Sequence, residues 1–433
     1  MARYYSQQGY YAATVMTTSN DSTGSRGIRT ILPCLLALAS ITARADIASP
    51  SAPSLASSFT LQGFGTVGGA RSSSGQADFV RDLSQPDGTS KHWSAKIDSL
   101  VGLQANYHHS EQVEGVVQVV SRHGNEGNFD PEVMWAFVKY EPNAQLTLRA
   151  GRLGTDFFML ADSRLVGYSY LPVRPPNDYF GTLPFQHIDG LDGVTTLDTG
   201  MGLLRGKLFA GYLDGEVPSV GKQWNLQGSR MAGANMDLQA GDWLWRVGYA
   251  QVRFKRNIRN EDLLSALDAA AALGVPNALG VRDALSVKEK LGRFYSAGVV
   301  YDRGPLQVQM MLSRIRQESA AFQNTNSGYL IAGYRQNAWT PYVGYSRARS
   351  STRNLPSTLP AIDQYVSYSV SRSHTDQYTG FLGIRWDFIS NYALKAQYDV
   401  IRGNASSIFP FQQITPDWNG RTKVLSVTLD FVF

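Results

Sequence analysis

The stretch KVLSVTLDFVF places Leu425, Val427, Leu429, Phe431 and Phe433 at every second position, with Val424, Ser426, Thr428 and Asp430 between them. Alternation of this kind predicts a β-strand with one apolar and one polar face, because successive side chains of a strand point to opposite sides. The rhythm recurs along the chain. Val101, Leu103, Ala105 and Tyr107 alternate with Leu100, Gly102, Gln104 and Asn106. Leu146, Leu148 and Ala150 alternate with Gln145, Thr147 and Arg149. Tyr392, Leu394, Ala396, Tyr398 and Val400 alternate with Ala393, Lys395, Gln397 and Asp399. The period-two template predicts about sixteen such strands. They fall near 58–69, 94–107, 111–121, 132–140, 144–152, 186–197, 201–212, 227–239, 242–254, 291–302, 305–316, 326–335, 338–348, 375–387, 390–402 and 421–433.

Short and long connections alternate between these segments. HHSE (108–111), EPNA (141–144), DTGM (198–201), QAGD (239–242), DRGP (302–305), RQNA (335–338) and DFISN (387–391) read as tight turns, most of them rich in Gly, Pro, Asn and Asp. Long connections lie near 70–93, 153–185, 213–226, 255–290, 317–325, 349–374 and 403–420. The pattern predicts an all-β fold: a transmembrane antiparallel β-barrel of about sixteen strands, with short periplasmic turns and long extracellular loops. Closure satisfies every backbone group and leaves no open edge in lipid. It also requires the last strand to pair with the first, which puts Phe433 in the wall. Trp243, Trp245, Tyr249, Trp386 and Tyr392 then belong to interfacial aromatic girdles. A secreted soluble β-propeller is the alternative all-β reading, but it calls for an internal repeat of about 40–50 residues, and none is seen.

Residues 1–45 are predicted to be a signal peptide, with Met16 or a later residue as the alternative start. Arg26 and Arg29 form the basic region, ILPCLLALASI (31–41) the apolar region, and Ala43-Arg44-Ala45 the cleavage site. The apolar run is too short to span a bilayer, which takes roughly 20 residues. Residues 46–57 form a short Ser/Pro/Ala spacer before the barrel at 58–433. Cys34, the only cysteine, lies in the leader, so the mature chain has no disulfide and no thiol chemistry. The charged fraction is 17%, below the roughly 25% of soluble domains. The net charge of +5 falls to about +2 without Arg3, Arg26, Arg29, Arg44 and Asp21. That balance argues against nucleic acid as a partner.

Three stretches carry a resemblance. VLSVTLDFVF resembles the C-terminal signature of bacterial outer-membrane barrels, and SFTLQGFGTVGGA is similar to the start of Gram-negative porins. GYSYLPVRPPNDYFG is similar to a stretch of porin-like proteins. Over 58–433 the chain therefore resembles the sixteen-stranded Gram-negative outer-membrane porins. The resemblance implies residence in the outer membrane, a homotrimer, and small polar solutes passing through. It implies that the barrel assembly machinery reads Phe433, Phe431 and Leu429. Its partners would be outer-membrane lipid and that machinery, and it would need no cofactor.

A sixteen-stranded barrel has a lumen wide enough for water, so function should lie in what narrows it. Residues 153–185, LGTDFFMLADSRLVGYSYLPVRPPNDYFGTLPF, are too aromatic for a floppy surface loop, with Phe157, Phe158, Met159, Leu160, Tyr168, Tyr170 and Leu171. In the resemblance, the third extracellular loop folds inward as the constriction. Its charged members here would be Asp156, Asp162 and Arg164. The alternative is that the loop covers the mouth or a neighbouring subunit. Strand parity turns Arg149, Arg205, Lys207, Arg246, Arg385 and Lys395 inward, since a lipid-facing charge costs about 2–4 kcal/mol at mid-membrane. A basic wall opposite an acidic loop sets a transverse field that leans mildly toward anions. Alternatively each base pairs with a lumenal acid such as Asp98, Glu114, Asp399 or Asp430.

NEDLLSALDAAAALG (260–274) predicts one short helix in a long loop, capped by Asn260 and ended by Gly274. His108-His109 lacks the partners of a metal site. The reading is a channel for passive diffusion of small hydrophilic solutes, and not an enzyme. An outer-membrane barrel lipase or protease would need His with Ser and a carboxylate or amide at one rim. None of His92, His108, His109, His123, His187 and His374 has a motif neighbour. An energised receptor needs a large plug before the barrel, and the spacer is too short for one.

Overall fold

The computed structural model describes residues 58–156, 158–181, 186–219, 222–258 and 260–433. The expected leader and spacer, and Phe157 of the long loop, lie outside these residues. The first half of the barrel comprises β1 (Ser58–Ser72), β2 (Leu100–His108), β3 (Val113–Arg122), β4 (Pro131–Asn143), β5 (Leu146–Gly154), β6 (His187–Asp198) and β7 (Leu203–Tyr212). A hairpin of β8 (Glu216–Ser219) and β9 (Lys222–Asn225) stands apart from the wall. The wall continues with β10 (Arg230–Ala240), β11 (Trp243–Arg253), β12 (Leu291–Arg303), β13 (Leu306–Gln317), β14 (Asn324–Tyr334), β15 (Trp339–Ser351), β16 (Asp376–Ile389), β17 (Tyr392–Gly403) and β18 (Arg421–Val432).

The sixteen wall strands form one closed antiparallel barrel, each paired with its neighbours in the chain. Closure runs through β1 and β18, in register from Phe64 opposite Val432 to Ser72 opposite Val424. The seam extends one residue further. Gly63 N donates to Phe433 O at 2.8 Å, and Phe433 N donates to Gly63 O at 2.9 Å. The Phe433 ring covers Gly63 and the Phe431 ring covers Gly65, each filling the space a Cβ would take. Aromatic cover of this kind protects glycines in a sheet and pins register.

Parity behaves as the alternation predicts. On β18, Val424, Ser426, Thr428, Asp430 and Val432 are buried inside, while Leu425, Val427 and Phe433 are exposed outside. Trp243 stacks on Trp245 at 5.7 Å, and Trp339 on Trp386 at 4.8 Å, both on the outward face near short turns. An apolar outer belt edged by aromatics around a polar interior is the arrangement a closed membrane barrel requires. No described helix is long and apolar enough to cross a membrane.

Some local expectations change. Residues 94–99 are not strand: Ser94 makes one bridge to Ala70, and the chain then turns until Leu100. Ser99 Oγ bonds the backbone of Gly68 at 3.1 and 3.2 Å, so a side chain replaces the ladder there. Helix α1 is a single turn (Asn177–Phe180) inside the barrel. The helix expected at 260–274 is α2 (Glu261–Ala272), followed by α3 (Ala278–Leu285). Asn260 occupies the position before α2, but its side chain does not cap it. Instead its Oδ1 accepts from Ser369 Oγ at 2.5 Å. Ser369 belongs to α4 (Pro360–Ser371), a helix that the polar sequence of that loop did not predict.

Candidate functional site

The described part of the segment 153–185 enters the barrel. Aromatic packing holds it there: Phe158 meets Tyr179, Phe180 and Phe294 at 6.1, 5.1 and 5.9 Å between ring centroids. Tyr179 stands edge-on to Tyr329 at 5.1 Å. Phe294 and Tyr329 lie on β12 and β14, so the loop reaches across to that wall. Across the lumen a 3-10 turn, Gly167–Ser169, lies against the seam. Gly167 sits so close to Asp430 and Thr66 that a Cβ would not fit. Glycine there permits the backbone to touch the wall.

Two clusters of charge clamp the two sides of the loop. The first surrounds Asp156 at the loop's start. Arg246 Nη1 donates to Asp156 Oδ1 at 2.9 Å, and Lys207 Nζ to Asp156 Oδ2 at 3.2 Å. Lys207 also lies 3.3 Å from Asp192, which accepts from Arg149 Nε at 2.7 Å. Arg246 Nε donates to Asp237 at 2.5 Å, and Arg205 stands 3.8 Å from the same carboxylate. Arg149 rests over the Phe137 ring at 5.2 Å. Burial opposes ionisation of Asp156, but Lys207, then Arg246, outweigh it and hold the loop carboxyl well below its ordinary range. Burial, then the Asp156 carboxylate, pushes Asp162 up from its ordinary value.

The second cluster lies by the seam. Lys395 is fully buried and donates to the Gly167 and Tyr170 carbonyls, each at 2.7 Å, with Asp430 at 3.0 Å. Arg385 Nη1 donates to the Tyr168 carbonyl at 2.7 Å and its guanidinium pairs with Asp387 at 2.8 Å. Arg174 donates to both oxygens of Asp98, to Ser426 Oγ at 2.6 Å, and to Asp399 at 3.4 Å. Asp178, in α1, accepts from Ser346 Oγ and Gln377 Nε2, each at 2.7 Å.

The six bases named from parity all face inward. Arg149, Arg205, Lys207 and Arg246 join one cluster, and Lys395 and Arg385 the other. Each stands against at least one carboxylate, so the wall is not a bare basic surface. Asp156 is central to the first cluster. Asp162 is half-buried beside it. Arg164 is buried elsewhere, bonded to Gln186, with its carbonyl accepting from Arg81 Nη2 at 2.8 Å. Sequence reasoning did not single out Arg174 and Asp178. An arginine and an aspartate flanking Pro175-Pro176 in an apolar loop were the available signal: such charges need partners when buried. Towards the short turns, the inward face of the wall carries partly exposed polar side chains including Gln104, Thr147 and Gln309.

No family model and no curated protein matches the sequence. Solved structures do resemble it. One is in-vitro folded OmpT, an outer membrane protein of Vibrio cholerae, at 12% identity and TM-score 0.52, covering 87% of this chain and 98% of the other. Another is OmpF of Salmonella typhi in complex with daunomycin, at 11% identity and TM-score 0.52, covering 87% and 97%. A third is the outer membrane channel DcaP of Acinetobacter baumannii, at 12% identity and TM-score 0.51, covering 87% and 97%. At such identities the likeness establishes architecture, and with the closed sixteen-stranded wall it gives this chain the porin-type β-barrel fold of outer-membrane proteins.

Proposed function

We propose that the protein is an outer-membrane channel for passive diffusion of small hydrophilic solutes, narrowed by residues 153–185. The observation that carries this reading is the inward loop, gripped on one side through Asp156 and on the other through Arg174, inside a wall that is apolar outside and polar within. A solute entering from the short-turn side meets partly exposed polar groups first and then the charged clusters. The pairing of every base with an acid favours a weak anion lean, smaller than a bare basic wall would produce.

The reading includes a homotrimer. The outward face of β1–β4 carries Phe59, Leu61, Val67, Val101, Val117 and Val138, all exposed on a single chain. In-vitro folded OmpT of Vibrio cholerae, with 14% identity and TM-score 0.50, is described in a trimer form.

The enzyme reading is less favoured. Of the described Ser–His contacts, Ser90 Oγ to His92 Nδ1 at 3.3 Å is exposed and joins residues two apart in one loop, and Ser350 Oγ to His374 Nδ1 at 3.1 Å uses the nitrogen that also faces Gln323 Oε1 at 2.8 Å. A nitrogen donating to an amide oxygen has no lone pair for the serine proton. Planar-bilayer recording decides: stepwise ohmic conductance supports the channel, and a correctly folded barrel that never conducts refutes it.

A further inference from the structure

The interior of a wide membrane barrel is polar as a rule, and one sector of this wall departs from it. At the long-loop ends of β10–β13, Met231, Ala250, Val252, Phe294 and Ile315 turn inward, the first four of them buried. They stand side by side in register. Met231 lies opposite Val252, and Phe294 lies between Ala250 on one strand and Ile315 on the next. The loops beside this sector are apolar too. Trp224 of the β8–β9 hairpin stands edge-on to Phe322 at 5.3 Å, and Phe254 stacks on Phe322 at 6.3 Å. Wall and loops together line a cavity of about 110 Å³, which Leu83 and Phe409 from two further loops help to form.

Volume and lining decide what fits. An ordered water needs two to four polar partners, whereas an apolar cavity of about 150 Å³ lined by Leu, Ile and Phe takes benzene. This cavity is somewhat smaller, so it suits a single six-membered ring. The lining favours an aromatic one. Edge-to-face and offset contacts with Trp224, Phe254, Phe294 and Phe322 add to the gain from buried area. The Met231 sulfur is a further partner for a ring edge.

One polar contact is on offer. Gln317 lies opposite Gly292, and both belong to the lining. Glycine lets the Gln317 amide lie across the strand, for a Cβ at Gly292 would stand 2.8 Å from Gln317 Oε1. Among the described residues that side-chain amide has no hydrogen-bond partner, only the Gln317 backbone being engaged. It can therefore meet one ligand hydroxyl. A charged ligand is disfavoured. Arg293, the cation of the lining, is held by Glu318 at 2.6 Å, and a carboxylate buried without a partner is costly.

We propose that this cavity binds a neutral, single-ring aromatic solute carrying one hydroxyl. The site lies on the long-loop side of the inward loop and touches it, since Phe294 also meets Phe158 at 5.9 Å. A solute held there waits beside the constriction. The proposal names a solute class for the channel and rests on that reading for the solute's passage, but binding itself does not require conduction.

The test uses the folded full barrel in detergent, with para-fluorophenol as the probe, read by fluorine NMR against protein-free micelles. A saturable bound signal should appear. Phenol should displace it at about 10-fold lower concentration than cyclohexanol, which has the same hydroxyl and no aromatic ring. Benzoate should leave it in place. Ala250→Leu fills the cavity from the wall and Ile258→Phe from the loop side, and each should abolish the signal. Two positions are used so that a variant that fails to fold leaves one that decides. No saturable signal from the wild-type barrel overturns the proposal without any variant. Equal displacement by phenol and cyclohexanol, displacement by benzoate as strong as by phenol, or a signal that survives in a folded filled variant overturns it too. Bilayer conductance of the same preparations keeps the two readings apart: a barrel that conducts without binding the probe refutes only the aromatic site, and one that binds the probe without conducting refutes only the channel.

Discussion

Arg174 grips Asp98 with two hydrogen bonds, Nε to Oδ1 at 2.9 Å and Nη2 to Oδ2 at 2.6 Å, and both side chains are almost wholly shielded from solvent. The pair ties the inward loop to the chain segment just before β2. Removing one partner of a buried pair typically costs about 3–5 kcal/mol, because the other charge is stranded. Arg174→Ala should therefore loosen the loop, raise single-channel conductance and add current noise. Arg174→Met with Asp98→Asn should be the more stable variant by thermal melting. Conductance and noise unchanged in Arg174→Ala would show that this anchor does not hold the constriction.

Phe433 should matter for assembly and not for transport. Its ring covers Gly63, and its backbone supplies the last hydrogen bonds of the seam. Phe433→Asp puts a charge on the outward face and uncovers the glycine. The amount of heat-modifiable barrel in the membrane should fall several-fold, while channels that do assemble conduct normally. Gly63→Val, which crowds the same ring, should reduce assembly as well. Full assembly of both variants would remove the role given to the terminal aromatic.

Charge changes in the first cluster should move selectivity in opposite directions. Lys207→Met leaves Asp156 and Asp192 less neutralised and should shift the reversal potential in a salt gradient toward cations. Asp156→Asn frees Arg246 and Lys207 from that carboxylate and should shift it toward anions. Both shifts should grow at low salt, as the Debye length rises from about 10 Å at 0.1 M to about 30 Å at 0.01 M. Shifts of the same sign would mean that the cluster does not face the permeation path.

Cleavage after Ala45 is the expectation for the leader. N-terminal sequencing of protein extracted from the outer membrane should begin at Asp46. A mature chain that retains residues 1–45 would overturn the targeting assignment.

The wall was legible because its signals are local. A strand repeats every two residues, and lipid makes the outward face apolar wherever the chain lies in the barrel. The inward direction of Lys395 therefore follows from Leu394 and Ala396 beside it. Tight turns such as QAGD and DRGP mark strand ends for equally local reasons, since Gly241 and Gly304 take left-handed φ values of 58° and 55° there. The terminal Phe433 had to meet the first strand once closure was accepted. Helix α2 announced itself through Leu263, Leu264 and Leu267 at helical spacing. Helix α4 did not, because Ser367, Ser369 and Ser371 alternate with Tyr368 and Val370 in a period of two, which masks the helical spacing of Ile362, Val366 and Val370.

What the tertiary structure decided is the interior and the register. Lys395 could be turned inward from parity, but its partners are carbonyls of Gly167 and Tyr170, more than two hundred residues away in the chain. The partner of Arg149 is Asp192, and that of Arg174 is Asp98; no spacing rule links them, because each pair is made by strand register or by the path of a loop. The opposed arginines Arg402 and Arg421 are separated by a loop whose length does not reveal that they face each other. Period-two patterning fixes which side of a strand a residue occupies. Which residue stands across from it depends on register and closure, and those are settled only when all sixteen strands pair at once.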